Sequence, residues 1–136
     1  MGMTFAEIAL KNVKDGGKAR DGYISEEDIR SVDVRAVVDT GAMSLILTED
    51  AFHKLGLSAI GEKYSKTANG QRVKCQITEA VEINWKDRFW TVNALVLPGA
   101  ESVLLGAIPL EGLDLMVNPA TQELVGIHGD EVLYTV

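Results

Sequence analysis

The apolar residues of this chain fall into short runs that are separated by glycine and other turn residues. Of the 136 residues, 13 are glycine, and most of them stand between segments rich in valine, isoleucine, leucine and threonine. Segments of this kind are typical of β-strands bounded by turns. The pattern therefore predicts an all-β fold. The length predicts a single domain over residues 1–136, since domains commonly have about 100–200 residues.

The strands are expected in the following order: Thr4–Leu10, Val32–Val38, Leu45–Leu47, Tyr64–Thr67, Arg72–Ile83, Phe89–Leu97, Val103–Leu105, Leu115–Val117, Glu123–Ile127 and Leu133–Val136. Asn69-Gly70 predicts a hairpin with a two-residue turn, because both residue types tolerate positive φ. A second hairpin is expected at Lys86-Asp87-Arg88.

Two short helices and one long loop complete the predicted elements. Thr48 is a suitable N-cap for a helix over Glu49–Leu55, and Ile108–Leu113 suits one or two helical turns with a proline near its start. Lys14–Arg30 is polar and contains three glycines, so it is predicted to be an exposed loop.

Charge and composition exclude several kinds of function. The net charge of −7, with only 13 lysines and arginines, disfavours binding to nucleic acid. No apolar run approaches the length of a membrane-spanning helix, and the N-terminus does not resemble a secretory signal. The lone Cys75 and the separated His53 and His128 indicate no disulfide, metal site or cofactor, and a reducing cytoplasm is the expected location.

Asp39 is the strongest candidate for a catalytic residue. It follows the apolar segment Val37-Val38, so a strand would present its carboxylate from a rigid element, and Thr40, Gly41 and Ala42 come next. Gly41 allows the backbone to approach the carboxylate closely and to donate its N–H.

A second apolar segment, Leu104-Leu105-Gly106, precedes the predicted short helix. Two apolar residues and a glycine before a helix form a loop that can pack beneath the turn after Asp39. By itself this segment is a weak signal, since most such tripeptides are the ends of core strands, and Asp-Thr-Gly alone could equally be a turn after a strand.

In this order, VVDTGA, the hairpin Thr67–Gln71 and LLG followed by a helix resemble the retropepsin-like aspartic proteases. The resemblance covers roughly residues 32–119, and within the family it is nearest to a small bacterial single-domain group. It implies a closed, barrel-like β-domain with a flap hairpin and one or two short helices.

The resemblance also implies a homodimer, because the chain holds one Asp-Thr-Gly and aspartic proteolysis needs two carboxylates. Asp39 of each subunit would form a dyad that activates water for hydrolysis of a peptide substrate. The implied support comes from Thr40 and Gly41. The implied flap and cleft residues are Ala42, Ala68, Asn69, Gly70, Leu105 and Gly106. The C-terminal residues 123–136 are the candidate dimerisation segment.

Two positions depart from the family pattern. Met43 and Ala107 stand where retroviral members commonly have an aspartate and an arginine. Both halves of an expected ion pair are therefore missing together, which is consistent because a lone buried charge would be costly.

Other interpretations remain open beside the protease. A catalytically silent β-module of the same fold could bind peptides or a protein partner. Gly17–Asp28 has some features of a calcium loop, but Gly17 and Ala19 stand where the first two carboxylates belong. The Asp-x-Gly turn of sugar-kinase-like folds would need two large α/β domains, for which the chain is too short.

Overall fold

The computed structural model describes residues 2–133. In this part of the chain the strands are β1 (Thr4–Asn12), β2 (Ser31–Val38), β3 (Leu45–Leu47), β4 (Ala59–Lys66), β5 (Arg72–Trp85), β6 (Arg88–Val96), β7 (Leu104–Leu105), β8 (Leu115–Asn118) and β9 (Glu123–Gly126). The helices are α1 (Val13–Arg20), α2 (Glu49–Lys54) and α3 (Ala107–Gly112), with a 3₁₀ turn at Glu26–Asp28. The mainly β prediction is confirmed.

Seven strands form one sheet in the order β1-β2-β7-β3-β6-β5-β4, while β8 and β9 form a separate antiparallel pair. Strand β1 pairs with β2 along its length and with β5 near its end, where Leu10 lies opposite Ile83. This second pairing closes the sheet into a barrel and leaves β4 outside the closure. The expected barrel-like domain is therefore confirmed.

The core lies inside this barrel. Residues of β1 alternate between buried and accessible positions, as expected for a strand with one face packed inward. Leu10, Leu45, Leu47, Ile83 and Leu105 are fully buried there. Each such side chain stabilises the fold by about 1.5–3 kcal/mol through removal of apolar surface from water.

The helices α2 and α3 lie close to their predicted positions. Thr48 caps α2, and its hydroxyl accepts a hydrogen bond from the Ala51 N–H at 3.1 Å. Gly56 follows α2 with a φ of +61°, in the left-handed region where glycine is favoured.

The prediction of an exposed loop at Lys14–Arg30 is wrong for its first part. Although much of the segment is exposed, it begins with α1, which Asn12 caps by accepting a hydrogen bond from the Asp15 N–H at 3.0 Å. The Asp15 side chain is buried and bonded to Arg30. The low helix propensity of Gly16 and Gly17 conceals this helix, whereas the cap and the ion pair between the buried Asp15 and the half-exposed Arg30 stabilise it.

Both predicted hairpins form, but the first has a different turn. Among residues 67–71 only Gly70 has a positive φ, of +85°, and the Thr67 N–H donates to the Gln71 carbonyl at 2.8 Å. The connection therefore involves more residues than the two-residue Asn-Gly turn that the sequence predicts. The β5–β6 hairpin turns at Lys86, whose φ is +52°.

The segment after β9 is held against the end of the barrel by polar groups. The buried Arg88 guanidinium donates to the carbonyls of Leu113, Asp114 and Gly129. Leu133 belongs to no strand, and the rest of the strand expected at 133–136 lies outside the described residues. The role of residues 123–136 in dimerisation stays a prediction.

Candidate active site

Asp39 stands directly after β2, at the point where this strand runs parallel to β7. Val37 and Val38 lie opposite Leu104 and Leu105, and the Asp39 N–H donates to the Leu105 carbonyl at 3.0 Å. Asp39 therefore follows a strand, as the sequence predicts, and the pairing of that strand with β7 fixes its backbone.

The turn after β2 positions the Asp39 carboxylate. The Gly41 N–H donates to Oδ1 of Asp39 at 2.9 Å, and the Ala42 N–H donates to the Asp39 carbonyl at 3.1 Å. Asp39 is half-buried, whereas Thr40 and Gly41 are exposed. The carboxylate is thus oriented by a backbone donor and remains accessible to a ligand.

Gly106 allows the second loop to pack against this turn. A Cβ atom at Gly106 would lie 2.3 Å from the Ser44 carbonyl oxygen and 2.7 Å from that of Ala42. Just beyond it, the Ala107 N–H donates to the Ala42 carbonyl at 2.8 Å. The structure therefore brings Asp39, Gly41, Ala42, Leu105 and Gly106 together.

The hairpin residues Ala68, Asn69 and Gly70 form a separate, exposed turn. The Gly70 N–H donates to the Thr67 carbonyl at 2.9 Å, and the Thr67 hydroxyl donates to Asn69 Oδ1. These hydrogen bonds lie within the turn, so they shape it without joining it to the loop of Asp39.

Met43 and Ile108 extend the site with apolar surface. The Ile108 N–H donates to the Met43 carbonyl at 2.8 Å, and both side chains are exposed. The sequence marks Met43 as a departure from the family pattern but gives no signal for the exposure of Ile108, since an apolar residue in a short helix is normally expected to face the core.

Two buried carboxylates away from this loop were missed by the sequence analysis. Hydrogen bonding from the Arg30 guanidinium lowers the pKa of Asp15 to about 2. Hydrogen bonding to His128, at 2.7 Å, likewise lowers the pKa of Asp114. For Asp15, the available signal was its position three residues after Asn12, which is the spacing of a helix N-cap and the residue whose N–H donates to it. Nothing local in the sequence marks the second.

Among residues 2–133, no group of three or more histidine, cysteine, aspartate or glutamate side chains is placed to hold a metal ion. No helix in the same range is long and apolar enough to span a membrane.

Comparisons with known proteins identify the family and the fold. The family model described as aspartyl protease matches residues 26–108, which include both Asp39 and Gly106. The structure of the EIAV protease complexed with the inhibitor HBY-793 superposes with a TM-score of 0.59 at 17% sequence identity. The match covers 81% of this chain and 86% of that one. At this identity the likeness concerns the fold, and no curated protein matches the sequence. The chain belongs to the aspartyl protease family and has the retropepsin-like fold.

Proposed function

We propose that the protein is an aspartic endopeptidase whose catalytic residue is Asp39. One observation carries this proposal. A half-buried carboxylate lies at the end of a central strand and accepts a hydrogen bond from the Gly41 N–H at 2.9 Å. The backbone of Gly106 packs against the turn that follows this carboxylate. A carboxylate that is oriented but still accessible can take a proton from water or give one to a substrate.

The proposed active form is a homodimer. The chain has one Asp-Thr-Gly, so a two-fold axis near the Asp39 loop would supply the second carboxylate. Two neighbouring carboxylates on such an axis would repel one another, so they cannot both ionise at low cost. The pair would therefore hold one proton, as is general for aspartic-protease dyads.

In this mechanism the ionised member of the dyad removes a proton from a water molecule, which attacks the scissile carbonyl carbon. The protonated member donates a hydrogen bond to the carbonyl oxygen and later helps to protonate the leaving amine. The reaction needs neither a covalent acyl-enzyme nor a metal ion.

The other site residues have supporting parts in the proposal. Thr40 is exposed beside Asp39 and would contact the partner's loop, and the half-buried Ala42 would line the cleft. Leu105 and Gly106 are buried, so the expectation that they line the cleft is wrong, and their part in the proposal is to support the Asp39 loop. The turn Ala68–Gly70 would close over an extended peptide and exclude water. The single cysteine is consistent with work in the cytoplasm.

The test compares wild type with Asp39→Asn on a diverse peptide mixture across mildly acidic to neutral pH, with products identified by mass spectrometry. We expect the substitution to lower the cleavage rate by at least about 10²–10⁴-fold, as for loss of a general acid–base group. Asp33→Asn is the matched control, because Asp33 is exposed on the same strand, β2.

Cleavage by wild type and Asp33→Asn alone would support the proposal. Equal cleavage by all three proteins would point to a contaminant or another nucleophile. Lack of cleavage by every protein, with a dimer present in the sample, would favour the silent peptide-binding module.

A further inference from the structure

The hairpin formed by β4 and β5 differs in charge from the rest of the molecule. Residues 59–76 contain four basic side chains and one acidic side chain, a net charge of +3 in a chain whose total is −7. The basic residues are Lys63, Lys66, Arg72 and Lys74. Positive charge is therefore concentrated on one projecting element.

The strand register places three of these cations on one face of the hairpin. Lys66 lies directly opposite Arg72, and Lys74 lies opposite Tyr64. Residues that face one another across antiparallel strands project to the same side, as do residues two apart along a strand. All four side chains are exposed. We call Lys66, Arg72 and Lys74 together with Tyr64 the basic face.

The charges on this face are only partly neutralised within residues 2–133. Lys74 pairs with Glu62 at 2.7 Å, and the Arg72 guanidinium lies 4.6 Å from the centre of the Tyr64 ring. In that same range neither Lys66 nor Arg72 has a carboxylate partner. Because like charges directly opposite one another destabilise a strand pair, an anion bound here would relieve an existing repulsion.

Protection of an exposed sheet edge does not account for the arrangement. Lysine on an outermost strand prevents unwanted pairing with other chains, and this explains Lys63 and Lys66 on β4. Arg72 and Lys74 lie on β5, which already pairs with β4. Edge protection therefore does not explain these two cations, and of the two only Lys74 has a carboxylate partner, Glu62, within residues 2–133.

The surroundings of the basic face favour a polypeptide as the anion. Strand β4 is the outermost strand of the sheet, so its free edge offers backbone donors and acceptors that an extended chain can use. A nucleic acid has no peptide backbone and cannot form these strand-to-strand hydrogen bonds.

We propose that the basic face binds an acidic segment of the polypeptide substrate, at a distance from the bond that is cleaved. This inference rests on the proposed endopeptidase function and adds the substrate class: extended polypeptides with a run of aspartate or glutamate beyond the scissile bond.

Binding is measured with Asp39→Asn, which is expected to hold substrate without cleaving it. The probe is a fluorescently labelled peptide with a run of glutamates, beside matched peptides with glutamine or lysine in the run. The test variant adds Lys66→Gln, Arg72→Gln and Lys74→Gln. The control variant adds Lys11→Gln, Lys18→Gln and Lys54→Gln, which make the same charge change at exposed positions outside the hairpin.

We expect the glutamate peptide to bind best and its affinity to fall as salt is added. The test variant, which carries the three hairpin substitutions, should bind this peptide about tenfold more weakly than Asp39→Asn. Exposed ion pairs commonly contribute about two- to threefold each. The control variant should stay close to Asp39→Asn. Equal losses in the two variants, or no preference for the glutamate peptide, would overturn the inference, as would hairpin-dependent binding of only an oligonucleotide or an anionic vesicle.

A parallel cleavage assay with the same substitutions in wild type separates this inference from the proposed function. Cleavage without any preference for acidic segments would remove the inference and leave the endopeptidase intact. Hairpin-dependent binding of the glutamate peptide by a protein that cleaves nothing would support the basic face and refute the proposed function.

Discussion

Gly106 shows how one residue type determines whether the loop of Asp39 can form. Its missing side chain lets the backbone of Gly106 come close to the carbonyls of Ser44 and Ala42. Any Cβ atom there would push apart the two loops that fix the position of the candidate catalytic carboxylate. Sequence reasoning can select this glycine as part of the motif, but the contact that requires it joins residues about sixty positions apart.

We expect Gly106→Ala to lower the free energy of unfolding by at least about 2 kcal/mol, because the new methyl group would overlap backbone atoms that cannot move aside. Gly61→Ala is the matched control, since its Cβ would meet only Ile77 Cδ1 at 3.6 Å, an ordinary contact. Urea denaturation of both variants measures the difference. Similar losses in the two would contradict the steric explanation.

Asp15 makes folding stability depend on pH. Its folded-state pKa of about 2 lies below the ordinary value of 3.8, because Arg30 donates hydrogen bonds to the carboxylate. A group whose pKa is lowered by folding stabilises the protein above its unfolded pKa, and this contribution is lost as the pH falls through the folded value. The stabilisation is therefore complete near neutral pH and decreases below about pH 4.

Asp15→Asn should accordingly destabilise the protein by at most about 2 kcal/mol near pH 6, since the half-exposed Arg30 side chain is screened by water. The difference from wild type should shrink as the pH is lowered toward 3. Unfolding of both proteins in urea across this range provides the measurement, with Asp21→Asn as an exposed control. A difference that is constant with pH would show that the charge of Asp15 is not the cause.

At the scale of elements, prediction from sequence works where the signal is local. The signals for the Thr48 cap of α2 and for the strand predicted at Thr4–Leu10 are each contained within a few neighbouring residues, and both predictions are confirmed. The helix α1 was missed because its stability depends on a contact between Asp15 and the distant Arg30, which overrides two glycines. Tertiary contacts of this kind have no local pattern.

The proposed closure of the β4–β5 hairpin over substrate can be tested at its turn. Gly70 has a φ of +85° and an added Cβ would meet nothing within 4 Å, so Gly70→Ala should cost only the backbone strain, about 1 kcal/mol. Gly99→Ala is the matched control, because Gly99 has a similar φ of +78° and an added Cβ would also meet nothing within 4 Å. If the hairpin closes over substrate, kcat/KM should fall in Gly70→Ala and stay near wild type in Gly99→Ala. Steady-state kinetics and thermal unfolding of both variants would distinguish a functional turn from a structural one.

At the scale of the whole molecule, the closure of the barrel is the feature least accessible from the sequence. Each strand can be predicted separately, but the pairing of β1 with both β2 and β5 depends on contacts between residues far apart in the chain. The candidate site was accessible because the resemblance supplied the relation between Asp39 and the segment Leu104–Gly106. The parallel pairing of β2 with β7 then accounts for that relation physically.

The proposed dimer leads to a prediction that no property of a single chain would produce. If each active site needs Asp39 from two subunits, mixing wild type with an equal amount of Asp39→Asn, under conditions that exchange subunits, should leave about a quarter of the activity, because only wild-type pairs hold both carboxylates. Mixing with Asp33→Asn should leave the activity unchanged, since every pair then keeps its dyad. Activity is measured as the initial rate on a peptide found in the first cleavage screen, at constant total protein. A decline to about half would mean that each chain acts alone, because rate would then follow the fraction of wild-type chains rather than its square.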